Sequence, residues 1–250
     1  MAQFVDYANL AQFYAGLKER FAPKGHGGGG GGEYTDATQL PGESWEKLFA
    51  AMDSGERCSG YGKALAIGYD GSLKDVRRAK QYEHKLTKQA IYLRDITIRP
   101  SGVFPVMLQF LCENAGTEIL FENVTFDNMM IVPYDSNFKT LAFKNCRFLN
   151  GQYNALRIQK TGIHIILEDC VFEHFYPDYD EYRADIVPRS LVGWAYQPII
   201  IRSSGVQMTV KRTSFKDIMA LAVIKFSNDY ASDKSAGGLY ATFEDCVFED

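Results

Sequence analysis

The chain has 250 residues, 46% of them hydrophobic, 14% aromatic and 23% charged, with a formal net charge of −4. That length supports a sizeable core in one or two domains, and the mild negative charge gives no basic field for nucleic acid or an anionic membrane. No run of roughly 18 apolar residues occurs, so membrane insertion is not expected, and the opening residues lack the charged start and short apolar block of a secretory signal.

Residues 1–24 are expected to form a helix used for oligomerisation or attachment. Tyr7, Leu10, Tyr14, Leu17 and Phe21 are spaced three and four apart, the a/d pattern of a coiled-coil seam. Asp6 is the expected N-cap, and Pro23 followed by Gly25 ends the helix. Two heptads are too few to be stable alone, so the stripe needs a partner. Copies of itself, another protein or the following domain would serve, with association the expectation. Gly27–Gly32 come next, and six consecutive glycines cannot hold one conformation cheaply. Residues 25–43 therefore read as a linker. A phosphate-binding loop would need a preceding strand, a following helix and a different glycine spacing.

Residues 44–250 read as a capping helix and a repetitive β body. In SWEKLFAAMD, Trp45, Leu48, Phe49 and Met52 line one face of a helix, with Ser44 as the expected N-cap. GYGKALAIGYDG reads as strand and turn, while SLKDVRRAKQYEHKL leaves a charged helix or a long polar loop open. From Ala90 onward the hydrophobic period is two.

One six-residue word then recurs: FENVTF from Phe121, FKNCRF from Phe143, LEDCVF from Leu167 and FEDCVF from Phe243, with VKRTSF from Val210 as a looser copy. Each copy follows a second short apolar strand, and the spacing of roughly 22 to 43 residues signals a solenoid. Equivalent residues of a parallel coil lie about 4.8 Å apart, so three ladders are predicted. These are Phe121, Phe143, Leu167, Val210, Phe243; Val124, Cys146, Cys170, Thr213, Cys246; and Phe126, Phe148, Phe172, Phe215, Phe248. The Glu-Asn or Asp pair inside the word is expected at a bend, where Asn accepts a left-handed backbone.

The expected fold class is all-β, a right-handed parallel β-helix with a short N-terminal helix and an amphipathic capping helix. The right hand follows from the bias of parallel crossovers. Of five cysteines, Cys58, Cys112, Cys146, Cys170 and Cys246, none forms a CxxC pair, so no zinc site is expected and the thiols read as small apolar core residues. The sequence stops on FEDCVFED, mid-unit, which predicts an open last turn that further polypeptide or a partner would cover.

The stretch from about Val106 to Asp250 resembles the right-handed β-helix superfamily of pectate-lyase-like proteins and phage tailspikes. The opening MAQFVDYANLAQFYAGLKERFAPK resembles the first residues of some bacteriophage tail or baseplate proteins, in which an FVDYxxL-type helix and a spacer precede a receptor-binding body. Together these resemblances imply a virion protein of the tail-fibre or tailspike type. It would be made in the host cytoplasm and assembled as a homo-oligomer, by resemblance a trimer. It would attach to other tail or baseplate proteins and face host surface glycan. A polysaccharide depolymerase on the same scaffold, or a β-helix surface protein unrelated to phage, are the alternatives. No cofactor is expected.

The longest interruption, His174 to Gln197, falls between two strands and is expected to protrude. Tyr176, Tyr179, Tyr182, Trp194 and Tyr196 offer flat rings to sugars, and Arg183 and Arg189 offer guanidinium donors. Asp178, Asp180, Glu181 and Asp185 are the candidate catalytic acids, since glycoside hydrolysis uses two carboxylates about 5 to 9.5 Å apart. Asp178-x-Asp180 lacks the glycine and terminal glutamate of a calcium loop, so no metal is expected. Arg157, Lys160 and Arg202 are the cations a lyase would draw on, and they are not diagnostic. His26, His84, His164 and His174 are scattered and read as incidental.

Overall fold

In the computed structural model, the described residues are 34–54, 58–68, 80–102, 105–133, 137–176, 197–220, 222–226 and 238–249. Alternating apolar residues make almost every described segment a strand, and all the strand pairs are parallel. Ala90–Pro100, Thr117–Asp127, Phe138–Lys144, His164–Glu168, Val206–Lys211 and Leu239–Glu244 lie side by side in one sheet. Lys80–Leu86, Val106–Cys112, Met129–Pro133, Leu156–Ile158, Ile199–Ile201 and Ile224–Phe226 form the second. The chain alternates between the two, so each pass lies against the one before. The fold is all-β, its parallel sheets curled around a shared apolar core.

The repeated word sits in the first sheet, and its register is the one that its spelling predicts. Phe121 pairs with Phe143, Phe143 with Leu167, Leu167 with Val210 and Val210 with Phe243. Phe126, Phe148, Phe172, Phe215 and Phe248 are likewise in register, their rings stacked at 5.1, 4.4, 4.9 and 5.1 Å between centroids. Between these ladders the strand bends. Asn123, Asn145, Asp169, Arg212 and Asp245 all have φ between 46° and 56°, the left-handed region that short Asn and Asp side chains tolerate best. Cys146 and Cys170 follow the bend, buried, with Sγ 3.4 and 3.5 Å from the carbonyl oxygens of Phe121 and Phe143 one pass earlier. Burial pushes the Cys146 thiol well above its ordinary pKa, so it serves as a core side chain.

Two segments depart from the expectations. Residues 80–86, left open between helix and loop, form a strand paired with Val106–Cys112, because His84 stacks on Phe49 and Leu86 is buried while Lys85 reaches out to Glu113. Within the stretch read as linker, Thr35–Asp36 pair with Cys58–Ser59 and Ala37–Gln39 form a 3-10 turn. An earlier copy of the word also exists. Leu93, Ile96 and Ile98 pair with Phe121, Val124 and Phe126, and Asp95 has φ 50° at the bend.

The helix α1 (Ser44–Asp53) buries Leu48, Phe49, Ala51 and Met52. Leu48 and Met52 border the same internal void as Ile98, Phe110, Phe121 and Phe126, so α1 closes the first end of the core. Its N-cap is Glu43 rather than Ser44, because the Ser44 hydroxyl instead accepts the Gly68 N–H at 2.8 Å. At the other end the last pass is open: Phe243 and Phe248 are 46% and 57% exposed, where their ladder mates are buried. Among the described residues no helix is long and apolar enough to cross a membrane.

The outer face of the first sheet carries a ladder of alternating charge. Arg94, Glu122, Lys144, Glu168, Lys211 and Glu244 follow one another in register, so stacked neighbours attract where identical charges would repel.

Candidate binding surface at the root of the long excursion

A second bend ends four of the passes of the first sheet. Asn128, Asn150, His174 and Asp217 occupy it with φ between 51° and 59°. In the early passes this bend is structural: Asn150 Nδ2 donates to Asp127 Oδ1 at 2.8 Å. Gly151, just past it, is required there, because a Cβ would lie 2.1 Å from the Phe175 ring. In the later passes the same position carries ionisable side chains. His174 and Asp217 lie between the paired residues Glu173–Lys216 and Phe175–Ile218, and His174 Nε2 is 3.3 Å from Asp217 Oδ2. The Tyr176 hydroxyl donates to Asp217 Oδ1, and the residue is 41% exposed.

This cluster is the described root of the excursion beginning at His174. The return side is anchored as well: Gln197 is buried, its carbonyl accepts from Asn154 Nδ2 at 2.7 Å, and the Pro198 carbonyl accepts from the Ala155 and Leu156 N–H groups. Both ends of the excursion are thus held by the stacked strands. Chemically, the root offers an aromatic face fixed by a hydrogen bond, an imidazole and a carboxylate. Each oxygen of Asp217 already faces a neighbour, which suits orientation of a ring better than proton abstraction.

Of the residues singled out from the sequence, Tyr176 joins this cluster. Asp178, Tyr179, Asp180, Glu181, Tyr182, Arg183, Asp185, Arg189, Trp194 and Tyr196 lie outside the described residues, as do Tyr7, Leu10, Tyr14, Leu17, Phe21 and His26. His84 and His164 are structural, the first stacked on Phe49. The second lies 3.0 Å from Thr209 Oγ1, its pKa lowered by burial. Arg157 lies in the second sheet, and Lys160 and Arg202 follow strands of that sheet. His174 was read as incidental and Asp217 was not singled out, although extending the repeat alignment three residues past the last Phe, FEHF over FKDI, places them together.

A cavity of about 600 Å³ beside α1 is lined by Trp45, Glu46, Asp53 and His84 among others. Its acids serve the fold: Glu46 accepts the Glu43 N–H, and Asp53 accepts from the N–H groups of Thr87 and Lys88. Among the described residues no group of three His, Cys, Asp or Glu side chains is placed to hold a metal ion. No family model, curated protein or solved structure matches the chain.

Proposed function

We propose that this chain is a non-catalytic, glycan-binding surface protein of the phage tail-fibre or tailspike type, built on a right-handed parallel β-helix. The strands run parallel through every pass, and the right hand is the one parallel crossovers take. The excursion between His174 and Gln197 is the binding element, carried on a rigid stack as binding loops commonly are. The reading rests on one observation: the exposed Tyr176 ring, held by Asp217 at the root of a tyrosine-rich excursion. A fixed aromatic face packs against the apolar face of a sugar ring, and the neighbouring imidazole and the excursion's arginines would bond its hydroxyls. Assembly as a homo-oligomer attached to other tail proteins belongs to the same reading.

The experiment is retention of the protein on purified bacterial surface polysaccharides, with reducing ends assayed in the same samples. Binding that weakens about tenfold in Tyr176→Ala, a loss of about 1.4 kcal/mol, with no reducing ends released, is the expected result. Release of reducing ends would replace this reading with the depolymerase. Binding that ignores Tyr176→Ala would remove the excursion's root from the site.

A further inference from the structure

We propose that the root of the excursion recognises an N-acetylated amino sugar, with the sugar ring on Tyr176, the acetamido N–H on Asp217 and the acetamido methyl on Met219. The inference rests on the reading of Tyr176 as a glycan-binding residue and names the class of sugar. Phe175 pairs in register with Ile218, and the Met219 N–H donates to the Phe175 carbonyl at 2.9 Å. Tyr176 and Met219 therefore follow that pair side by side, on adjacent passes that repeat at about 4.8 Å. Phe175 is buried in the core, whereas Tyr176 and Met219 are 41% and 50% exposed. Most other exposed large apolar residues of the described chain, Phe226, Tyr240, Phe243, Val247 and Phe248, belong to the last pass. Tyr61 stands apart, its hydroxyl held by the Tyr34 carbonyl. The Tyr176–Met219 pair is thus an apolar ledge before the last pass, at the foot of the excursion.

Asp217 supplies the polar group of the ledge. It lies two residues before Met219 on the same strand and is held by the Tyr176 hydroxyl on Oδ1 and by His174 Nε2, 3.3 Å from Oδ2. An ionised carboxylate offers about four lone-pair sites, so Asp217 can accept one further N–H or O–H while these neighbours fix its orientation. The nearby cation of Lys216 is engaged with Glu249 at 2.9 Å. Two adjacent passes therefore present an aromatic side chain, an oriented acceptor and an apolar thioether.

That combination selects the substituent. An aromatic ring takes the apolar face of any pyranose and does not discriminate among sugars. Discrimination falls to Asp217 and Met219, which together call for one group carrying an N–H donor and a methyl. An acetamido group has both, and the soft, flexible thioether adapts to its methyl. A hydroxyl in its place satisfies Asp217 but leaves Met219 against water. An ammonium suits the carboxylate but loses hydration against the thioether, and a carboxylate meets Asp217 with like charge. One apolar carbon in an enclosed pocket discriminates by roughly 10- to 200-fold, and a half-exposed ledge belongs at the lower end, about tenfold.

The test titrates the full chain with three β-1,4-linked tetrasaccharides that differ only at carbon 2: those of N-acetylglucosamine, glucosamine and glucose. Binding is followed by the methyl resonances of isotope-labelled methionine, the Met219 signal being the one missing from Met219→Ala. The acetylated sugar is expected to bind about tenfold more tightly than the glucose one and to shift the Met219 methyl. Met219→Ala, at an exposed position, is expected to bring that preference to within about twofold. Equal affinities for the three sugars overturn the proposal, as does a preference that survives Met219→Ala. Tightest binding of the glucosamine sugar overturns it too, since the carboxylate alone then decides. Absence of binding by all three overturns this inference alone, because retention on surface polysaccharide and its dependence on Tyr176 decide the glycan reading separately.

Discussion

Asn123 Nδ2 donates to Oδ1 of Asp95, 2.6 Å away and 28 residues earlier in the chain. The two residues share one left-handed bend on adjacent passes, and Asn145 Nδ2 extends the contact to Asn123 Oδ1 at 3.3 Å. Each bend is therefore tolerated by its own residue and tied to the bend beside it. Three consequences of this stacked construction can be measured.

The bend tests backbone conformation directly. At φ 51°, Asn145→Gly should cost within about 1 kcal/mol, because glycine loses only the side-chain bond. Asn145→Val, β-branched in a left-handed position, should cost ~2–3 kcal/mol. Urea midpoints of the two variants check this, and equal midpoints would show that the bend relaxes.

The phenylalanine ladder should be steeply graded along its length. Phe148 is fully buried between the rings of Phe126 and Phe172, so Phe148→Ala should cost about 3–5 kcal/mol. Phe248 is stacked on Phe215 but 57% exposed, and Phe248→Ala should cost less than about 1.5 kcal/mol. Denaturation of the two variants side by side decides it; similar losses would mean that the last ring is covered in solution.

Acid should act through the bend at Asp169, in LEDCVF. A hydrogen-bonded ion pair with Arg212, at 2.6 Å from its Nε, holds the Asp169 carboxyl below its usual range. A lowered folded pKa means stability that is complete above the unfolded value near ~3.9 and lost as pH falls through the folded value. Asp169→Asn keeps a residue that tolerates the bend and removes the charge. Asp169 is more than a third exposed, so the variant should be weaker by only about 0.5–1 kcal/mol at neutral pH. The difference should close as pH falls below roughly 4 and on through the lowered folded value. A gap that stays constant over that range would assign it to something other than the ion pair.

The sequence alone determined the ladders. Near-identical words at near-regular spacing can be satisfied together only if their copies stack, so the register of Phe121, Phe143 and Leu167, the bend at Asn145 and the burial of Cys146 all followed from spelling. The helix over Trp45 was legible because one apolar face must be buried. The pass at Leu93–Ile98 was not recognised, because LRDITI shares the pattern of the word but neither its aromatics nor its thiol. Residues 80–86 were ambiguous for a related reason: their inward face is set by Phe49, a partner far away in sequence. Only the tertiary structure set the Tyr176 hydroxyl on Asp217 and brought His174 Nε2 to 3.3 Å from the same carboxylate, and only it dried out the outer column of Tyr92, Leu120, Ala142 and Ile166. Periodicity tells which side chains share a face; what comes to rest on that face depends on how the whole chain winds.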